Sequence, residues 1–187
     1  MSDTTPENMP GSHAKFPRET TPIPAPAPGG RQMPVLTIWQ PWAVSIIHGP
    51  KTYENRGWPP PPNLVGQRLA IHASVRQPER QDWEDWELVA EQARRWGQDV
   101  PPFRQKSLEF GAIIGTVLVT GVLDVRRALT MPSPWVFGPF AWVLADARPC
   151  VPVRCKGAQK IWTFDEQTVR EADRQWHRDN SPRVAAN

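Results

Sequence analysis

Apolar and polar positions change period several times between residues 35 and 178, and each change marks an element. Residues 35–39 (Val-Leu-Thr-Ile-Trp) form a short apolar run and predict a strand. Pro41 then suits the first turn of a helix, where its missing N–H costs nothing, and Gly49-Pro50 stops the chain, so residues 41–48 predict a helix. Trp42, Ile46 and Gly49 share one face of it with Ser45 beside them, which lets it lie on a sheet. The turn that follows is expected to send Lys51 outward. In residues 52–58, Tyr53, Asn55 and Gly57 alternate with Thr52, Glu54, Arg56 and Trp58, a strand period that puts Glu54 and Arg56 on one face.

Further along, residues 68–73 and 111–125 predict strands, the second bent near Gly121, and residues 140–145 and 151–156 predict another two. Residues 81–96 read as an amphipathic helix, and residues 165–178 as a C-terminal helix with Asp165 as its cap. The strands after Gly111 are joined by connections too short for helical crossovers. That excludes an all-parallel α/β sheet and leaves the α+β class, with a barrel-like arrangement of short strands.

Composition divides the 187 residues into three parts. Residues 1–34 hold eight of the 23 prolines and no apolar period, which predicts a disordered or extended proline-rich tail. Residues 35–164 are expected to form one domain, and residues 165–187 a C-terminal helix and tail. The proline-rich stretch lacks the apolar core of a secretory signal, and nowhere does the chain approach the ~18 to 20 apolar residues of a membrane span, so a cytoplasmic location without membrane partners is expected. Cys150 and Cys155 do not have paired zinc-ligand spacing, and His13, His48, His72 and His177 do not cluster near them, so no metal or other cofactor is expected and the thiols are read as reduced. Residues 156–160 (Lys-Gly-Ala-Gln-Lys) lack the phosphate-loop pattern, and no dinucleotide, zinc-protease or serine-hydrolase signature is present.

The candidate chemistry begins at Lys51, Glu54 and Arg56, which form either an ion pair on a solvated face or a set of groups able to hold a phosphate, a base edge or a carbonyl. Ten tryptophans are far more than a chain of this length needs. Trp83, Trp86 and Trp96 read as the buried face of the second helix. Trp39, Trp58, Trp135 and Trp162 sit at element ends or in Pro/Gly-rich loops, where a ring can stay open and stack on a base. Trp135, in the stiff loop Ser133-Pro134-Trp135-Val136-Phe137-Gly138-Pro139, is the strongest of these. The net charge is +3. Residues 79–99 carry seven acids against three bases, whereas the rest of residues 33–166 carries twelve bases against six acids. Lys51, Arg56, Arg68, Arg76, Arg126, Arg127, Arg154, Lys156 and Lys160 are therefore candidates to line one basic groove.

The segment Gln40-Pro41-Trp42-Ala43, its apolar helix and the following Gly49-x-Lys51-x-x-Glu54-x-Arg56 resemble the opening signature of the ASCH family, named after activating signal cointegrator-1 homology. Residues 69–74, 111–117, 133–144 and 156–162 resemble later segments of that family, in its order. The resemblance implies a PUA-like fold, a small and mostly antiparallel β-barrel with helices packed at its openings. It also implies recognition of RNA or a modified nucleotide, for which Trp39, Lys51, Glu54, Arg56, Ser74, Trp135 and Lys156 are the candidate contacts. Some members of the family look like amidohydrolases acting on N4-acetylcytidine or like ribonucleases. An alternative is therefore a metal-independent hydrolase of N4-acylated cytidine or single-stranded RNA, with Lys51 and Glu54 catalytic. The amidohydrolase type has threonine where this chain has Glu54, and Glu84, Glu87 and Glu91 are further candidate carboxylates; Tyr53 with Ser74 or Ser133 are those for RNA cleavage.

Overall fold

The computed structural model describes residues 30–128 and 130–181. Its strands are β1 (Gln32–Ile38), β2 (Tyr53–Arg56), β3 (Arg68–Ala73), β4 (Ala112–Asp124), β5 (Phe140–Arg154) and β6 (Ile161–Asp165), and its helices α1 (Trp42–His48), α2 (Arg80–Arg95) and α3 (Glu166–Asn180). The strands form one sheet in the order β2-β5-β4-β3-β1-β6, in which only the β1–β3 pair is parallel. The proline-rich stretch lies mostly outside the described residues, and β1 reaches back into its end, where Met33 is buried. No described helix is long and apolar enough to cross a membrane.

The centre of the sheet is where the sequence is apolar on consecutive positions. Leu69 to Ala73 of β3 and Ala112 to Val117 of β4 are buried on both faces. One face receives α1, where Ile46 and Ile47 pack with Leu36, Ile71, Val117 and Leu144. The other receives α3, where Val169 and Ala172 pack with Val35, Ile113 and Cys150. Asp165 ends β6 and caps α3 as its residue type suggests, accepting the Thr168 amide at 2.8 Å. A third cluster, Trp86, Ala90, Ala93 and Trp135 with Trp42 against them, fixes α2. Trp96 does not share it: it caps the end of α2 and is 53% exposed. The approach of α1 depends on Gly115, where a Cβ would lie 2.5 Å from the Arg148 carbonyl oxygen and 2.8 Å from Ile47.

The expected closed barrel is not formed. Three register shifts between β4 and β5 coil the sheet, and they bring its β2 edge round towards β1. No backbone ladder joins the two; a side chain bridges them, with Arg56 Nη2 donating to the Thr37 carbonyl at 3.2 Å. The fold is therefore α+β with an open mixed sheet. The two strands expected over residues 140–145 and 151–156 are halves of β5, bent at Asp146, whose φ of 48° is unusual for a side-chain-bearing residue. Arg68 and Arg148 both pair with the Asp146 carboxylate and hold it below the usual carboxylate range.

Candidate functional site

The site is built where α1 ends and β2 begins. After Gly49 and Pro50 the chain does not swing outward, because the Lys51 amide donates to the Ser45 carbonyl at 3.1 Å and tucks the backbone under the helix. The expectation that Lys51 points to solvent is thus corrected: its residue is 2% exposed. Its Nζ donates to Glu54 Oε2 at 2.6 Å and to the Tyr53 carbonyl. Glu54 is also buried, and its other oxygen meets Arg56 Nη2 at 3.0 Å. Arg56 Nε is shielded from solvent without a hydrogen-bond partner. Burial pushes the Lys51 ammonium below the usual lysine range; the Glu54 carboxylate opposes that shift and the Arg56 charge adds to it.

This Lys51–Glu54–Arg56 chain forms the floor of a cleft of about 630 Å³. Thr37, Ile38 and Trp39 of the β1 end line one side, Asp82, Asp85, Leu88 and Val89 of α2 another, and Trp42, Asn55 and Phe137 complete it. Trp39 stands at the rim, 53% exposed. Leu88 and Phe137 are exposed beside the same opening, so a charged floor carries an apolar and aromatic collar.

The sequence model of the ASCH domain matches residues 36–163. The chain belongs to the ASCH domain family. Among solved structures it is similar to ASCH from Zymomonas mobilis, at 16% identity over 74% of this chain and 92% of that one with a TM-score of 0.43. A tyrosine-to-phenylalanine variant of the same protein gives 17% identity over 75% and 96%, with a TM-score of 0.42.

In this ASCH domain Trp39, Lys51, Glu54 and Arg56 come together as candidates, and three other sequence candidates do not. Trp135 cannot stack on a ligand: it is fully buried, its indole N–H donates to Gln98 Oε1 at 2.7 Å, and its ring packs edge-on against Trp42. Its loop is turned by Asn55, which donates to the Trp135 carbonyl and accepts the Phe137 amide, both at 2.9 Å, so Phe137 is the aromatic that reaches the cleft. Ser74 is buried and accepts the Arg76 amide at 3.2 Å, which makes it a turn residue outside the cleft lining. Lys156 is exposed in the loop after β5, away from the lining.

The alternative catalytic groups separate as well. Glu84, Glu87 and Glu91 lie on the exposed side of α2, paired with Arg80, Arg94 and Arg95. Ser133 is buried under Trp135, and the Tyr53 ring packs towards the α2 cluster while its carbonyl meets Lys51. Nor do the nine basic residues form one groove. Arg68 pairs with Asp146, Arg126 and Arg127 with Asp124, and Arg154 with Glu109, leaving only Lys51 and Arg56 of the nine in the lining. There they face Glu54, Asp82 and Asp85, so the cleft is aromatic but not basic. Asn55, Asp82, Asp85 and Phe137 were not singled out from sequence. A carboxylate pair one position short of a helical turn inside an acidic helix looks like any solvated face.

Proposed function

We propose that this ASCH domain binds RNA or a modified nucleotide in the cleft, with a base against Trp39 and its edge towards Lys51, Glu54 and Arg56. The observation that carries the proposal is the buried Lys51–Glu54 pair, with Arg56 joined to it, at the floor of an aromatic-rimmed cavity. Burying the Lys51 and Glu54 charges returns little stability over apolar residues of the same volume, so their presence at the base of an opening has its better explanation in recognition. The floor offers ammonium and guanidinium donors to base carbonyls and a carboxylate acceptor to an exocyclic amine. Trp39 supplies the stacking face, an interaction worth about 1 to 3 kcal/mol per base. With three carboxylates among the lining residues, the interior favours the base, and phosphates stay towards solvent. Membership in a PUA-like family supports the same ligand class.

One observation favours hydrolysis as a second reading: Lys51 is a desolvated amine with a lowered pKa, in contact with a cleft. Such an amine acts as a base at a lower pH than a free lysine, so turnover of N4-acylated cytidine or single-stranded RNA would rise with pH through that lowered value. Mass spectrometry separates the two readings. Wild type, Lys51→Ala and Trp39→Ala are incubated with N4-acetylcytidine, related acylated nucleosides and a mixed-sequence single-stranded RNA, while tryptophan quenching reports binding. The binding proposal expects quenching by RNA that weakens in Trp39→Ala, with every substrate mass unchanged. Product from wild type that is lost in a folded Lys51→Ala variant makes the domain a hydrolase instead. Neither quenching nor product defeats both.

A further inference from the structure

Trp39 does not stand at the rim alone. The guanidinium carbon of Arg76 lies 4.3 Å from the centroid of its ring, a stacked cation–π contact on one indole face. The guanidinium is fixed from behind: Nη1 donates to Asp82 Oδ2 at 2.7 Å, and Nη2 lies 3.4 Å from Glu79 Oε1. The same Asp82 oxygen accepts the Glu79 amide at 2.7 Å in the capping box that starts α2. Ser74 turns the chain so that Arg76 reaches this place. The backbone of Trp39 is held in turn, since its carbonyl accepts the Ala43 amide of α1 at 3.1 Å.

We propose that Arg76 is a positioning residue for nucleotide binding: it backs the indole of Trp39 so that the ring is presented to the cleft as a fixed stacking face. This rests on the nucleotide-binding proposal above. A half-exposed tryptophan that has to order itself on binding loses part of its stacking energy to that ordering, and a guanidinium held against one face of the ring removes the loss beforehand. The arrangement also uses Arg76's charge, since two carboxylates already take its donors; phosphate attraction is not its main role. Arg76 links the start of α2 to the rim, and thereby ties the helix that carries Asp82 and Asp85 to Trp39.

The test uses the full chain labelled with 5-fluorotryptophan, in wild type, Trp39→Ala, Arg76→Ala and the double variant. Without any ligand, Arg76→Ala is expected to shift and broaden the Trp39 fluorine resonance; an unchanged resonance overturns the proposal. Mixed-sequence single-stranded RNA is then titrated at several salt concentrations. Loss of stacking in Trp39→Ala weakens binding about 5- to 150-fold. Arg76→Ala weakens it about two- to fivefold, with the salt slope unchanged, and has no further effect in the Trp39→Ala background. If Arg76→Ala is as damaging without Trp39 as with it, or lowers the salt slope by about one phosphate, Arg76 contacts the backbone itself and the proposal is wrong. Binding that weakens in Trp39→Ala while Arg76→Ala retains the full wild-type affinity refutes the role of Arg76 alone. Wild type that binds no RNA refutes the nucleotide-binding proposal, and this one with it.

Discussion

Lys51 and Glu54 pair inside the protein and Arg56 reaches the second Glu54 oxygen from the cleft, so each depends on the others. Removing Lys51 leaves the buried Glu54 charge with only the part-exposed Arg56 against it, and Lys51→Met is expected to cost about 3 to 5 kcal/mol in urea unfolding. Lys51→Met with Glu54→Gln should cost less than the two single changes together; full additivity would mean that the 2.6 Å contact carries no coupling. His72 contributes to the pH dependence. It is buried in β3 with Nε2 donating to the Cys155 carbonyl at 3.2 Å and Nδ1 without a partner, and burial pushes its imidazole below the usual 6.5. Between that lowered value and 6.5 the unfolded chain holds more protons than the folded one, so stability falls as pH drops through this window. His72→Asn should lose part of the drop in urea midpoint between pH 7 and 5.5, and retention of the whole drop would assign it elsewhere. The types and spacing of the floor residues were legible in sequence. The direction of Lys51 was not, because it is set by a hydrogen bond from its backbone amide to the Ser45 carbonyl, which leaves no mark on the pattern of side chains. The choice between Trp135 and Phe137 was likewise fixed by Asn55, a residue far off in sequence.

Elements meet closely where α1 crosses the sheet at Gly115. Gly115→Ala forces a methyl against the Arg148 carbonyl and Ile47, both belonging to packed elements that cannot yield cheaply, and should destabilise the fold by about 1 to 3 kcal/mol in thermal or urea unfolding. A neutral result would show that α1 can lift from the sheet without cost. Most elements were readable from period and punctuation: β3 spans residues 68–73 as expected, and α2 and α3 start within a residue of the expected positions. Asp146 and the prolines around it have the composition of a turn and predict two strands, whereas arginine pairing holds the bend within one strand, β5. β6 was missed because its last residue is also the cap of α3, so the strand leaves no separate stop signal.

At the scale of the molecule, the open edge of the sheet creates the cleft. A closed barrel would pair β2 with β1 and fill the space that Arg56 now spans, and α2 would have no opening to wall. Chain topology of this kind depends on the registers of β4 and β5, which the pattern of apolar residues does not encode. Charge dispersal has a measurable consequence: RNA affinity should fall with salt by a log–log slope of about −1, the release expected from one or two phosphates, and a slope several times steeper would restore the basic-groove expectation. The central claim is that the cleft beneath Trp39 receives a nucleotide, and the exposed tryptophans offer an internal control. In the fluorotryptophan spectrum of the full chain, mixed-sequence single-stranded RNA should shift the resonance of Trp39 and leave that of Trp96, equally exposed at 53% but outside the cleft lining, where it was. A shift of Trp96 with Trp39 unmoved would contradict the account.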